Sequence, residues 1–130
     1  MNKTSVSEMV NEAKQKIQNL SPQQVKAEIE NGDVTIIDIR ESEELKNEGK
    51  IAGSVHAPRG MLEYYADAST NYHKKEFNKE NRIILHCAGG GRSALAANTL
   101  LQMGYTNVAH LDGGLKAWKE AGLPTEQSSS

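Results

Sequence analysis

Residues 82–93 read Arg82-Ile83-Ile84-Leu85-His86-Cys87-Ala88-Gly89-Gly90-Gly91-Arg92-Ser93. The stretch from Arg82 to His86 is short, mostly apolar and β-branched at its start, which suits a strand covered on both faces in a parallel sheet. The pattern then breaks, because three consecutive glycines supply no packing and cannot continue a strand comfortably. Beyond Arg92, Ala94, Leu95, Ala97, Leu100 and Leu101 supply the apolar side of a helix, with Gly104 as its expected C-terminal cap. A strand, a glycine turn and a helix are therefore expected in succession. Cys87 falls at the carboxyl end of that strand, the edge where open α/β sheets bind ligands.

Outward from this unit the same alternation continues. Val34 to Ile39 (VTIIDI) is a second buried-strand run, bounded by Gly32-Asp33 in front and a polar stretch from Arg40 behind. Residues Ser42 to Glu48 suit a short helix ending at Gly49, and the loop through Gly53 leads into a brief strand near Val55-His56. Val108 to Leu111 is a last short strand, and Asp112-Gly113-Gly114 turns into a final helix carrying Leu115 and Trp118. At the other end, Val6, Met9, Val10, Ala13 and Ile17 fall at helical spacing behind a Ser5/Glu8 capping box. A second helix starts after Ser21, with Pro22 in its first turn, Gln24 able to reach back, Val25 and Ile29 buried, and Gly32 as its stop. Strands alternating with helices argue for an α/β layer fold on a parallel sheet. The expected organisation is a helical extension over residues 1–19, one domain over 20–124 and a disordered tail over 125–130.

The whole chain is 130 residues with a formal net charge of -2, from 15 Lys+Arg against 17 Asp+Glu. That length fits one domain with its own core. The basic excess expected of a nucleic-acid or anionic-membrane surface is missing. No apolar run is long enough for a membrane span, and no secretory h-region is visible, so a cytoplasmic enzyme is the expected class. One cysteine excludes an internal disulfide, a CxxC redox pair and a cysteine-based zinc site. His56, His73 and His110 show no ligand spacing with one another, so no metal is expected.

Three glycines let the backbone curl so that several N–H groups face one spot, and a helix opening near Arg92 adds the positive end of its dipole. The expected product is an anion cradle with a sulfur at its entrance. An ordinary thiol, at about 8.5, is only a few per cent thiolate at neutral pH. Two units of depression need about 2.7 kcal/mol of preference for the anion. A helix end supplies at most about 2 kcal/mol, so loop amides and Arg92 have to contribute the remainder. A lone Cys at a strand end is often an inert small hydrophobe. Packing, however, does not need three glycines followed by Arg92-Ser93. His86 invites a Cys–His dyad, but neighbouring strand residues point to opposite faces, so it reads as a core histidine.

These residues identify a resemblance. Cys87-Ala88-Gly89-Gly90-Gly91-Arg92-Ser93 resembles the active loop C-x-x-G-x-R-[ST] of the rhodanese family of sulfurtransferases, with Cys87 matching the sulfur-accepting cysteine. Asp38-Ile39-Arg40 is similar to that family's D-[VI]-R. Gly49-Lys50-Ile51-Ala52-Gly53-Ser54 is similar to its G-H-I-P-G-A, with Lys50 and Ala52 departing from the His and Pro. Leu111-Asp112-Gly113-Gly114 with Trp118 resembles the closing L-x-G-G-x-x-x-W. Each motif alone is weak; four in family order from about Leu20 to Pro124 are strong.

The resemblance implies a central parallel sheet of about five strands with helices on both faces. It also implies ping-pong transfer of sulfur from an anionic donor such as thiosulfate through a Cys87 persulfide to cyanide or a cellular thiol, a protein thiol included. No cofactor, nucleic acid or membrane is implied. Ala88 to Ser93 would form the anion-binding loop, although Ala88 and Gly89 are bare where many relatives are polar. Arg59, after the brief strand, is either an anion clamp beside the site or a solvated surface charge. Asp38 and Arg40 read as a structural ion pair, and Trp118 as core. Two rivals stand beside this reading. A persulfide carrier or redox-sensing module uses the same exposed sulfur. A cysteine phosphatase or arsenate reductase also uses Cys, amides and Arg, but with five residues between Cys and Arg where this chain has four.

Overall fold

The computed structural model describes residues 5–128. Its elements are α1 (Val6–Lys16), β1 (Gln18–Leu20), α2 (Pro22–Asn31), β2 (Thr35–Asp38), α3 (Ser42–Glu48), β3 (Val55–His56), a 3-10 turn (Arg59–Met61), α4 (Leu62–Ala66), β4 (Ile83–His86), α5 (Gly91–Gln102), β5 (Val108–Leu111) and α6 (Gly114–Glu120). The five strands form one sheet in the order β1-β5-β4-β2-β3, and every pairing is parallel. β4, which leads into Cys87, is thus the central strand.

Side chains alternate along each strand, so two cores form, one on each face. One gathers Ile37, Ile39, Leu85 and Cys87 against Leu62 of α4 and Ala97 and Leu100 of α5. The other gathers Ile36, Ile84 and Leu111 against Val25 of α2 and Leu115 and Trp118 of α6. This two-sided burial is why the strands read as continuous apolar runs. Each fully buried Ile or Leu contributes about 1.5–3 kcal/mol relative to an exposed one. Trp118 is core, and its indole N–H donates to Pro124 O at 2.8 Å.

α2 shows how this chain starts a helix when nothing else is asked of it. Ser21 Oγ accepts the Gln24 N–H at 3.2 Å and Gln24 Oε1 accepts the Ser21 N–H at 2.8 Å. Two of its orphan donors are thereby satisfied by side chains.

Two boundaries differ from the expected organisation. β1 crosses the line drawn between residues 19 and 20, so the N-terminal segment contributes an edge strand as well as a helix. Three residues with two polar side chains carry no strand periodicity, which is why β1 was not legible. The expected tail over 125–130 is not separate from the domain at its start, because Lys50 and Glu126 exchange backbone hydrogen bonds of 2.8 Å each. Residues 1–4 of the extension and 129–130 of the tail lie outside the described residues. Among the described residues, no helix is long and apolar enough to cross a membrane.

Candidate active site

β4 delivers Cys87 to the carboxyl edge of the sheet, and the chain then turns through Ala88, Gly89 and Gly90 into α5. Gly90 has φ +104, a value that L side chains rarely adopt, and a Cβ there would lie 3.0 Å from Gly113 N. The turn needs glycine at that point on both counts. Gly89 meets nothing within 4 Å, so its lack of a side chain leaves the mouth of the loop open.

The next loop holds the turn from behind. Leu115 N–H donates to Cys87 O at 2.9 Å and Lys116 N–H donates to Ala88 O at 3.0 Å. These bonds draw the loop carbonyls away from the sulfur, and the amides are left facing it. Gly90 N–H donates to Sγ at 3.1 Å and Ser93 N–H donates to it at 3.4 Å. No side chain caps α5. Its first amide bonded to a backbone carbonyl at the helix start is that of Ala94, to Gly90 O at 3.1 Å. The sulfur occupies the place that Ser21 takes in α2.

Cys87 is 1% exposed, so its sulfur lies at the floor of the cradle. Beside the mouth, a cavity of about 330 Å³ runs past Ala88 and Leu115 between Glu44, Lys116 and Lys119. A second cavity of about 790 Å³, beside Asp67, Lys79 and Tyr105, has no cysteine in its lining.

The Arg92 guanidinium lies beside the cradle, close enough for the Cys87 sulfur to contribute to its raised pKa after the larger effect of Glu44. It makes a two-pronged ion pair with Glu44 of α3, at 2.9 and 2.8 Å. The Arg92 hydrogen bonds hold the Glu44 carboxyl down at about 2 against the opposing effect of burial, and Glu44 raises Arg92 in return. Glu44 Oε2 also accepts the Glu41 N–H at the start of α3, so one carboxylate ties α3 to the loop. Sequence reasoning missed Glu44. A short helix with acids in its first turn is ordinary, and only the fold brings it to a residue 48 positions away.

Ser93 is fully buried, with its Oγ 3.6 Å from Sγ, 3.3 Å from Gly90 O and 2.8 Å from Nδ1 of His110. His110 Nε2 in turn meets Asn19 Oδ1 at 2.8 Å. The parallel registers explain this row, since Asn19 pairs with His110 and His110 with Leu85, two residues before Cys87 on the same face. Neither His110 nor Asn19 was singled out as a site residue. A histidine inside an otherwise apolar strand beside the loop-bearing strand was the available signal.

Asp38 and Arg40 form a buried ion pair under the loop, with Nη2 to Oδ2 at 2.7 Å, and Arg40 also donates to Gly49 O at 2.8 Å. Burial alone would push the Asp38 carboxyl up, but the Arg40 hydrogen bonds outweigh it and hold it below the usual range. His86 is buried against this pair, Nε2 lying 3.5 Å from Asp38 Oδ2, and burial lowers its pKa. It faces away from a base role for Cys87, with Nδ1 3.3 Å from the Cys87 carbonyl oxygen. Arg59 sits at the carboxyl edge, its N–H donating to Ile39 O, but its guanidinium pairs with Glu63 at 2.9 Å. Among the described residues it makes no hydrogen bond or ion pair to the loop, and the geometry is that of a surface charge pair rather than a clamp. Among the described residues, no group of three His, Cys, Asp or Glu side chains is placed to hold a metal.

The sequence model of the rhodanese-like domain matches residues 21–121, which hold the loop and the strands that carry it. The chain belongs to the rhodanese-like domain family. This rhodanese-like domain is 35% identical over 99 residues to thiosulfate sulfurtransferase 16, chloroplastic, of Arabidopsis thaliana, covering 69% of this chain and 78% of that protein. Among solved structures, a protein of unknown function from Rhodopseudomonas palustris, described as a possible tyrosine phosphatase, superposes with a TM-score of 0.89 at 40% identity, covering 97% of this chain and 99% of that one. The polysulfide-sulfur transferase homodimer of Wolinella succinogenes superposes with a TM-score of 0.74 at 34% identity, covering 94% and 87%. Sulfurtransferases are thus among the relatives of this rhodanese-like domain.

Proposed function

We propose that this domain moves sulfane sulfur on Cys87. The observation that carries the reading is the convergence of the Gly90 and Ser93 amides on Sγ, at 3.1 and 3.4 Å. Donors aimed at a point where negative charge rests or develops stabilise it without reorganisation. With thiosulfate as donor, the Cys87 thiolate attacks the outer sulfur. A new S–S bond forms, the donor's S–S bond breaks, and its electron pair leaves on sulfite. The persulfide carries the negative charge on its outer sulfur. Cyanide, or the thiolate of a cellular acceptor, then attacks that atom, and the electron pair of the broken bond returns to Cys87. Charge and atoms balance in both halves, and the amide cradle serves each anionic state in turn.

The phosphatase reading has less support. Four residues separate Cys87 from Arg92, and the Arg92 guanidinium is committed to a two-pronged pair with Glu44. A carrier reading draws on the near-complete burial of the sulfur, which would shield a loaded persulfide until a partner reached it.

Intact-protein mass spectrometry separates these readings. Incubation with thiosulfate should add one sulfur atom to the wild-type chain and none to Cys87→Ala, and cyanide should then remove it as thiocyanate. Persistence of the added sulfur in cyanide would favour the carrier. An equal gain in Cys87→Ala, or turnover of an aryl phosphate with no sulfur gain, would overturn the proposal.

A further inference from the structure

The row Asn19–His110–Ser93–Cys87 contains more information than its distances. Asn19 Nδ2 donates to two backbone carbonyls, Lys14 O at 2.9 Å and Ile17 O at 3.3 Å. Carbonyl oxygens only accept, so the amide orientation is determined and Oδ1 is the atom that faces His110. That oxygen also only accepts, so His110 Nε2 must carry the proton. A neutral imidazole has a single N–H, which leaves Nδ1 bare. The bare nitrogen takes the proton of the Ser93 hydroxyl at 2.8 Å. Ser93 has one proton to give, so neither Gly90 O nor the sulfur receives it.

We propose that His110 is a positioning residue for the chemistry of Cys87: held by Asn19 in its Nε2–H form, it withholds the Ser93 hydroxyl proton from the sulfur. The Ser93 oxygen then shows lone pairs to Sγ at 3.6 Å, and a thiol donates to it while a thiolate finds no donor there. The anion is left to the Gly90 and Ser93 amides, with the Arg92 charge nearby. A thiolate stabilised by fewer donors is the stronger nucleophile, because nucleophilicity falls as the anion is stabilised. The arrangement therefore trades some thiolate population for reactivity of the thiolate that forms.

The groups facing His110 together leave a neutral ring at neutral pH. Burial is the main influence and pushes it down to about 4; Asp112, with its Oδ1 4.0 Å away, opposes this, and Lys14 adds to it. Lys14 and Asp112 also bind each other at 2.9 Å, which blunts both effects. Ser93, Asn19 and the nearby sulfur complete the surroundings.

The proposal rests on Cys87 being the reactive sulfur, but its tests do not use sulfur transfer, so the two readings fail separately. Nitrogen NMR of the labelled wild-type imidazole should show a protonated Nε2 and a bare Nδ1 from neutral pH down to about 5. The opposite tautomer would overturn the proposal without any variant. In His110→Phe the Ser93 hydroxyl loses its nearer acceptor, and a thiolate competes better than the neutral Gly90 carbonyl for its proton. Alkylation by iodoacetamide, at a pH below the ordinary thiol range, should then be about threefold faster, because one added charge-assisted hydrogen bond raises the thiolate fraction about tenfold and the weaker nucleophilicity of that thiolate takes back part of the gain. The gain should vanish in His110→Phe combined with Ser93→Ala. An unchanged or slower rate in folded His110→Phe would overturn it.

Discussion

α2 and α5 both begin at the carboxyl edge of the sheet, yet they begin in opposite ways. At α2 a serine and a glutamine close a capping box. At α5 a glycine at φ +104 replaces the capping side chain, and the amides turn to the sulfur of a residue that is still part of the preceding strand's path. A capped helix end is chemically silent, because its donors are already occupied. An end capped by a sulfur couples the stability of the turn to the charge on that atom. The difference between the two helices is a difference between structure kept and structure used.

The most disruptive way to break this contrast lies behind the loop. Gly114 has φ +65, and a Cβ there would lie 2.7 Å from Cys87 O and closer still to the Ala88 carbonyl. Gly114→Ala should cost about 3 kcal/mol, from left-handed strain plus overpacking, and thermal unfolding measures it. Gly90→Ala comes next. Its backbone strain is of order 1–3 kcal/mol, and the amide that meets Sγ moves with the turn. Sulfur transfer should fall more than tenfold, as expected when a preorganised donor to the developing charge is displaced. Ser21→Ala at α2 is the matching control. It should lose about 1 kcal/mol in chemical denaturation and leave the transfer rate within twofold.

A smaller effect concerns the clasp between α3 and the loop. Glu44 is held at about 2 in the folded chain against 4.5 for a free side chain. Its contribution is therefore complete above pH 4.5 and drains away as the pH falls towards 2. In a series of denaturation curves over that window, Glu44→Gln should show a shallower loss of stability than wild type. Parallel slopes would mean that the Arg92 pair is screened into insignificance, as exposed pairs commonly are.

Much of this was legible because local rules and the fold agree. β2, β4 and β5 announce themselves as apolar runs between glycine-rich turns, and the Ser21, Gly32 and Gly49 boundaries fall where capping chemistry puts them. The Cys87 loop was legible because three consecutive glycines cannot continue a strand. What was hidden is long-range. Glu44 and Asn19 are polar residues with unremarkable neighbours until the sheet order brings α3 beside the loop and β1 beside β5. His110 looked like one histidine of three without ligand spacing, and its meaning comes from the β1-β5-β4 register. α4 was also missed, because five residues give too few turns for a period to show.

The coupling of sulfur charge to the start of α5 is open to direct observation by amide NMR. Cys87 would be loaded with sulfur from thiosulfate and unloaded with cyanide while the backbone signals are followed. The Gly90 and Ser93 amide resonances should shift on loading and return on unloading, with Gln24 at the capped start of α2 unmoved. Loading that leaves Gly90 and Ser93 where they were, or moves Gln24 as much, would contradict the account.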